Sequence, residues 1–368
     1  MNPWFRSASQ RRDHARGVVA ILQQSGDLGL VHLLSDPDDE RPLVSRCLFQ
    51  PAVGEPSPLL AEWVQRYGLG RSRFVGLLNR EEYLLFPYDA PDLPRGEWGM
   101  NIRWKIADRL GYPAEQAVVE TFDLPGSATQ ETSGKIYVAV APETTVQRKV
   151  DLFLNADLPL WGLDMADLAL GRLTDTLPED ARGLGLLYWT GEGGVIQVRR
   201  RQTLFLSRTL ETRRQPIWRA LENATPSIPP EADHAALDHL ATELRRTFHF
   251  YENNFLQPPL DHLFVMPTNP SSRDLPWRTG DPLDHMTPGQ TESGYAWRSE
   301  PVMTPPPAPI PWALLEERLL AALADRLGMR VSMLPLERVM RRAPDVQEAD
   351  LIDCLPAIGA ALGGLSGS

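Results

Sequence analysis

At 368 residues the chain is too long for one ordinary core, so two packed units are expected. Its 42% hydrophobic and 23% charged content is that of a soluble globular protein. A formal net charge of −11 excludes duplex nucleic acid as the main partner, because a phosphate backbone would be repelled. The two cysteines, Cys47 and Cys354, match neither a disulfide framework nor a metal site, and are expected to be buried, inert thiols of a reducing compartment.

Residues 1–16 read as a disordered basic arm. Arg6, Arg11, Arg12 and Arg16 are present, but the apolar h-region of an export signal is not. No stretch approaches the ~20 apolar residues that span a bilayer. Trp4, Phe5 and Arg6 leave a peripheral membrane contact open, with a floppy terminus as the alternative.

Apolar runs at 17–22, 28–34 and 43–49, separated by Ser25-Gly26-Asp27 and Asp36-Pro37-Asp38, predict a three-stranded meander. A helix at 58–67, a strand at 74–78 and a hairpin-like return at 83–86 follow. Trp98, Ile102, Ile106 and Leu110 recur at a spacing that only a helix places on one face. Strands at 118–122 and 136–140 come next. Pro142 and Glu143 then open a helix to about 155, and a strand at 160–164 and a helix at 165–173 close the first unit.

The order then begins again. Runs at 184–189, 195–198 and 204–206 form a second meander around Gly191-Glu192-Gly193-Gly194. A long helix carries Leu237, Leu240, Leu244, Phe248, Tyr251 and Phe255, and precedes a strand at 260–266. A helix with Trp312, Leu315, Leu319 and Leu323 ends at Gly328, and a strand at 330–334 and a helix at 349–362 complete the chain. The predicted class is therefore α/β: a duplicated actin-like (ribonuclease H-like) ATPase fold with two mixed-sheet halves and flanking helices. The halves are placed at 17–178 and 179–365. A Pro-rich insertion at 269–311 breaks the second, as a solvated loop or a docking segment presenting Trp277, Tyr295 and Trp297.

Several stretches in this order resemble the MshI proteins of MSHA-type (type IV) pilus biogenesis, within the PilM-like actin-fold family. They are Phe74-Val75-Gly76-Leu77-Leu78-Asn79, Tyr83-Leu84-Leu85, 97–108 around Ile102-Arg103-Trp104-Lys105-Ile106, 135–150, 178–183, Ser207-Arg208-Thr209-Leu210 and 251–259. The resemblance implies a cytoplasmic protein at the inner-membrane face, within a pilus assembly platform. It also implies binding to the short cytoplasmic tail of a bitopic PilN-like partner and contact with other platform proteins.

Actin-like ATPases hold phosphate in two hairpin turns, each opened by an acid that serves Mg²⁺. Here no acid ends the first strand near Ala20, and Tyr188 or Trp189 stands where the second is expected. The resemblance therefore implies loss of hydrolysis and a pseudo-ATPase scaffold. Weak binding of ATP and Mg²⁺ at Ser25, Gly26, Gly191, Gly193 and Gly194 is left open, as is an active ATPase using Asp27 or Glu192. Gly363-Gly364 is read as following the last helix rather than forming an adenosine-side turn. Arg199-Arg200-Arg201 reads as a hairpin tip, solvated or facing an acidic partner or lipid. His234, His239 and His249 lie on the long helix without metal-ligand spacing. Trp104, with Arg103 and Lys105, is the candidate partner-binding group, because the stripe of Ile102 and Ile106 gives Trp104 no core role. The alternative packs Trp104 under the neighbouring hairpin.

Overall fold

A computed structural model describes residues 17–24, 26–36, 38–124, 134–189, 193–210, 212, 217, 218, 221, 231–267 and 312–366, without the side chains of 231–234 and 312. The arm at 1–16, Ser25, Gly191, Glu192 and the insertion at 269–311 lie outside the described residues.

The first half opens with β1 (Val18–Gln24), β2 (Asp27–Asp36) and β3 (Asp39–Pro51), an antiparallel meander. Helix α1 (Pro56–Arg66), begun by a proline at its first turn, buries Leu60, Trp63 and Val64 and leads to β4 (Arg73–Leu78). β4 lies parallel to β1, and β8 (Leu160–Met165) lies parallel to β4. The second half repeats this with β9 (Leu184–Trp189), β10 (Gly194–Arg200), β11 (Thr203–Leu210), β12 (His262–Val265) and β13 (Arg330–Met333). Apart from one short edge strand added beside β3 by the chain end, strand order is β3-β2-β1-β4-β8 in one sheet and β11-β10-β9-β12-β13 in the other. Each half thus places its first strand between a hairpin partner and a parallel crossover partner. Two sheets of identical order in one chain are the duplication that the repeated sequence pattern predicts.

Two features depart from the expected pair of mixed sheets. Between β4 and α3 (Glu143–Asn155) the chain builds a separate three-stranded antiparallel sheet, ordered β5-β7-β6, from β5 (Leu84–Asp89), β6 (Ala117–Asp123) and β7 (Lys135–Pro142). Helix α2 (Arg95–Lys105) covers one face of it. On that face Ile136, Val138 and Val140 meet Ile102 and Ile106. The alternate residue Tyr137 turns the other way, stacks on Phe122 and donates its phenol to the Phe205 carbonyl at 2.8 Å. Both faces are therefore covered, and the inserted sheet rests against the second half.

The second departure concerns the chain end, expected wholly within a second half at 179–365. Arg341–Arg342 (β14) pairs with β3 of the first sheet. The expected single helix at 349–362 is two, α8 (Glu348–Asp353) and α9 (Leu355–Ser366), interrupted where Pro356 cannot continue the hydrogen-bond ladder. Helix α9 lies on β1, β2 and β4, beside α4 (Ala166–Arg172). One apolar cluster therefore runs through both halves, joining Val18, Ala20 and Leu170 to Leu184, Ile358 and Ala361. Gly363 and Gly364 lie inside α9, not after it. A Cβ on Gly364 would come within 2.7 Å of Val18 on β1, so this approach to the sheet favours glycine, whereas one on Gly363 would meet only the movable end of Arg172.

The remaining helices are α5 (Glu231–Phe255), α6 (Trp312–Leu327) and α7 (Leu336–Val339). α5 and α6 pack Leu240, Leu244, Leu315 and Leu319 against β9 and β12 in the core of the second half. Cys47 and Cys354 are both buried and free. Burial, with Cys47 adjacent, pushes the Cys354 thiol well above its ordinary value.

Candidate functional site

The two hairpin turns and the end of β4 converge where the halves meet. In the first turn Gln24 pairs with Asp27 across Gly26, whose φ of +84° is left-handed. The Gln23 carbonyl accepts the Asn79 side-chain amide at 2.7 Å and Lys149 Nζ at 3.3 Å. Lys149 is almost wholly buried and pairs with Glu82 at 3.0 Å, and Glu82 in turn accepts the Asn79 backbone N–H at 2.8 Å. The end of β1 is thus closed by side chains from the β4–β5 connection and from α3. Lys149 had a sequence signal: it lies four residues from both Thr145 and Phe153 on the buried face of its helix.

At the second turn, Gly194 pairs with Trp189, and Gly193 directly precedes β10. Structure decides between the two aromatics considered there. Trp189 turns into the core of the second half, 6.3 Å from Trp218, whereas Tyr188 lines the space between the halves. Ala20 is likewise core. The first-strand residues that border the space are Leu22 and Gln24. The positions to compare with metal-serving acids are therefore Leu22 and Tyr188, not Ala20 and Trp189. At the second turn this follows from strand alternation, since Tyr188 and Trp189 face opposite ways. In the first strand Ala20 and Leu22 share a face, and Leu22 borders the space because it lies one pleat nearer the turn.

The space itself is a cavity of about 30 Å³ bordered by Leu22, Asn79, Arg80, Asp167, Tyr188 and Pro356. That holds a water or two, against roughly 300–1,000 Å³ for a typical ligand pocket. Its polar centre is Asp167 on α4, 1% exposed. The carboxylate accepts the Tyr83 and Ser207 hydroxyls, and Arg80 Nε lies 3.1 Å away as an ion pair without hydrogen-bond alignment. Gln197 donates to the Asp167 carbonyl at 2.8 Å, and the Asp167 N–H donates to Tyr83 Oη at 3.0 Å. Tyr83 and Arg80 come from the first half, Gln197 and Ser207 from the second. A buried carboxylate needs such company, because an unpaired one would lose several kcal/mol of solvation. Burial, then the Asp167 charge, pushes the Tyr83 phenol well above 10.0. Nothing in the local sequence around Asp167 announces this role, since its partners come from the β4–β5 connection, β10 and β11.

Of the triple arginine, Arg199 is not at the tip: it is 3% exposed and pairs with Asp175 at 2.7 Å. The tip is Arg201-Gln202. Of the histidines on α5, His239 and His249 face solvent and contact Glu243 and Glu252 on their own helix.

The candidate partner residues lie on a different surface. On α2, Ile102 is buried in the inserted sheet while Trp104 is 55% and Met100 71% exposed. Met100 and Trp104 are four residues apart and form one outward apolar ledge. Lys105 is exposed beside it and Arg103 is half-buried. Trp104 thus stands in solvent rather than under the hairpin. Met100 was not singled out from the sequence, although its i, i+4 spacing to Trp104 was the available signal.

Among solved structures, a chain of the PilM-PilN type IV pilus biogenesis complex is similar over 96% of this chain and 99% of that one, with 18% identity and a TM-score of 0.60. With the duplicated sheet order, that decides the architecture. The fold is that of the actin-like ATPases. Looser likenesses are a Bacteroides thetaiotaomicron protein with actin-like ATPase fold and unknown function (9% identity, 72% and 87% covered, TM-score 0.39) and the cytoplasmic domain of EpsL (11% identity, 58% and 76% covered, TM-score 0.37). EpsL is an inner membrane component of the type II secretion system of Vibrio cholerae. No protein-family model and no curated protein matches the chain. In this actin-like frame, the cavity at Asp167 lies between the two hairpin turns, the region where such folds hold nucleotide. No helix among the described residues is long and apolar enough to cross a membrane.

Proposed function

We propose that the chain is a cytoplasmic scaffold of a type IV, MSHA-like pilus assembly platform. It acts at the inner-membrane face as an MshI-type member of the PilM-like proteins and grips the cytoplasmic tail of a PilN-like partner. The observation that carries this reading is the end-to-end likeness to a chain of the PilM-PilN complex. The exposed Met100–Trp104 ledge supports a peptide-binding role for the first half, because a solvent-facing Trp beside Met is the kind of anchor that dominates peptide interfaces.

The second reading is an actin-like ATPase that powers or regulates pilus assembly. The scaffold is favoured over it because the space between the hairpin turns is about 30 Å³ and is crossed by the Asp167 network. Leu22 and Tyr188 also supply no metal-binding oxygen of the carboxylate kind. A pulldown of platform proteins with purified protein, with and without Mg²⁺-ATP, tests the proposal. Nucleotide-independent retention of the PilN-like protein is expected. Retention that requires hydrolysable ATP would favour the ATPase, and failure to retain it in either condition would remove the scaffold reading.

A further inference from the structure

The β10–β11 hairpin closes through a two-residue turn in which both Arg201 (φ +49°) and Gln202 (φ +61°) are left-handed. Such a turn ordinarily takes Asn-Gly, since a side chain strains the backbone there. Here Asp180 enforces it. Its carbonyl accepts the Arg201 N–H at 2.9 Å and its carboxylate the Gln202 N–H at 2.5 Å. Strain held in place by a dedicated partner gathers at binding sites. What this strain displays is an arginine: the Arg201 side chain is exposed, with no ion pair among the described residues.

Beside the tip opens a cavity of about 380 Å³ lined by Arg200, Arg201, Thr203, Phe205 and Gln257. Arg200 donates to Gln257 Oε1 at 3.0 Å, which ties the hairpin to the segment after α5. Two large apolar side chains stand in solvent near the end of α5, one on the helix and one just after it. Leu256 is 86% exposed on a left-handed backbone (φ +51°) immediately before Gln257, and Phe250 is 50% exposed. Phe250 meets Phe255 edge-on at 6.5 Å, and Phe255 meets Phe205 of the cavity wall at 5.4 Å, so basic pocket and apolar pair form one surface.

The cavity lining itself carries two arginines and, among the described residues, no acid. Arg182 and Arg330 share one acid, Asp261, at 3.8 and 3.0 Å. His249 contacts Glu252 at 3.4 Å, Asp175 is taken by Arg199, and Asp180 is buried beneath the turn. On a chain with a net charge of −11, this local excess of arginine is set against the overall balance.

We propose that this face docks on an anionic membrane surface. Arg200 and Arg201 hold the phosphate of an anionic headgroup at the cavity, while Leu256 and Phe250 enter the acyl boundary. Two signals of this kind, charge and apolar insertion, are what stable peripheral attachment requires. Leu256 protrudes rather than lines a concavity. A soft interface that closes around it therefore fits better than a rigid acidic peptide. The docking depends neither on the tail-binding ledge of α2 nor on residues 1–16.

Flotation of the full chain with phosphatidylglycerol–phosphatidylcholine vesicles, against phosphatidylcholine alone, tests the proposal. Retention is expected only on the anionic vesicles, and it should fall with salt. Arg201→Glu and Leu256→Ser should each weaken partitioning, the first by at least about fivefold, and deleting residues 1–16 should leave it unchanged. Arg201→Gly separates binding from folding: it relieves the left-handed backbone, so the melting temperature should hold or rise while partitioning falls. Absence of wild-type retention on anionic vesicles overturns the proposal, as does full retention by Arg201→Glu and Leu256→Ser. Abolition of binding by inorganic phosphate, with no effect of Leu256→Ser, would assign the pocket to a soluble anion and overturn it too.

Discussion

Gly359 of α9 lies so close to Ala169 of α4 that a Cβ on it would stand 1.8 Å from the Ala169 carbonyl oxygen. Both helices belong to the apolar cluster that runs through the two halves. The neighbour is backbone and has no rotamer into which to retreat. Gly359→Ala should therefore cost ~1–3 kcal/mol or more as the helices separate. Gly70→Ala, with open space around it, should cost little. Thermal denaturation compares the two, and equal melting temperatures would refute the crossing.

Lys149 and Glu82 form a nearly buried ion pair at 3.0 Å, closing the end of β1. Lys149→Met should destabilise by ~3 kcal/mol or more, because Glu82 is left with an uncompensated charge. Adding Glu82→Gln should recover part of that loss while keeping an acceptor for the Asn79 N–H. A denaturant-melt double-mutant cycle measures the coupling, and additive losses would show that the pair contributes nothing specific.

Tyr83 donates to the buried Asp167 carboxylate. Tyr83→Phe should cost ~1–3 kcal/mol at neutral pH by leaving Asp167 short of a donor. The folded phenol is raised well above the ordinary 10.0, so its contribution is complete below pH 10 and is lost as pH rises toward the folded value. The stability gap between wild type and Tyr83→Phe should therefore narrow above about pH 10. A gap that stays constant from pH 8 to 11, two pH values chosen roughly to bracket the unfolded tyrosine, would contradict the assignment.

Isothermal titration with Mg²⁺-ATP should show no saturable heat that depends on the cleft, and purified protein should release no phosphate. Glu192, the remaining acid near the second turn, provides the decisive variant. Turnover that disappears in Glu192→Gln would establish the ATPase reading instead.

Trp104→Ala should weaken binding of a synthetic PilN-like cytoplasmic tail by ~2 kcal/mol or more, with the melting temperature nearly unchanged. Met100→Ala should act in the same direction by a smaller amount, as the lesser member of the ledge. Fluorescence anisotropy reads both. Undiminished tail binding by Trp104→Ala would move the peptide site elsewhere.

Local pattern in the sequence determined the strands and most helices of both halves, because apolar periodicity and turn residues act within a few positions. The repeat of that pattern was enough to predict the duplication, whereas the stripe of Ile102 and Ile106 left Trp104 either outward or under the hairpin, and the tertiary structure turned it outward. Tertiary structure decided what depends on residues distant in sequence. The inserted sheet is separate because Tyr137 on its second face found Phe205 and Phe122. Pro356 marked a break that periodicity overlooked, and β14 and α9 returned to the first sheet through partners some 300 positions away. Register placed Leu22 and Tyr188, rather than Ala20 and Trp189, at the space between the halves. Asp167 became its centre only when Tyr83 and Arg80 arrived from the β4–β5 connection, Gln197 from β10 and Ser207 from β11. A buried charge is specified by the full set of its partners, and no sequence window contains that set.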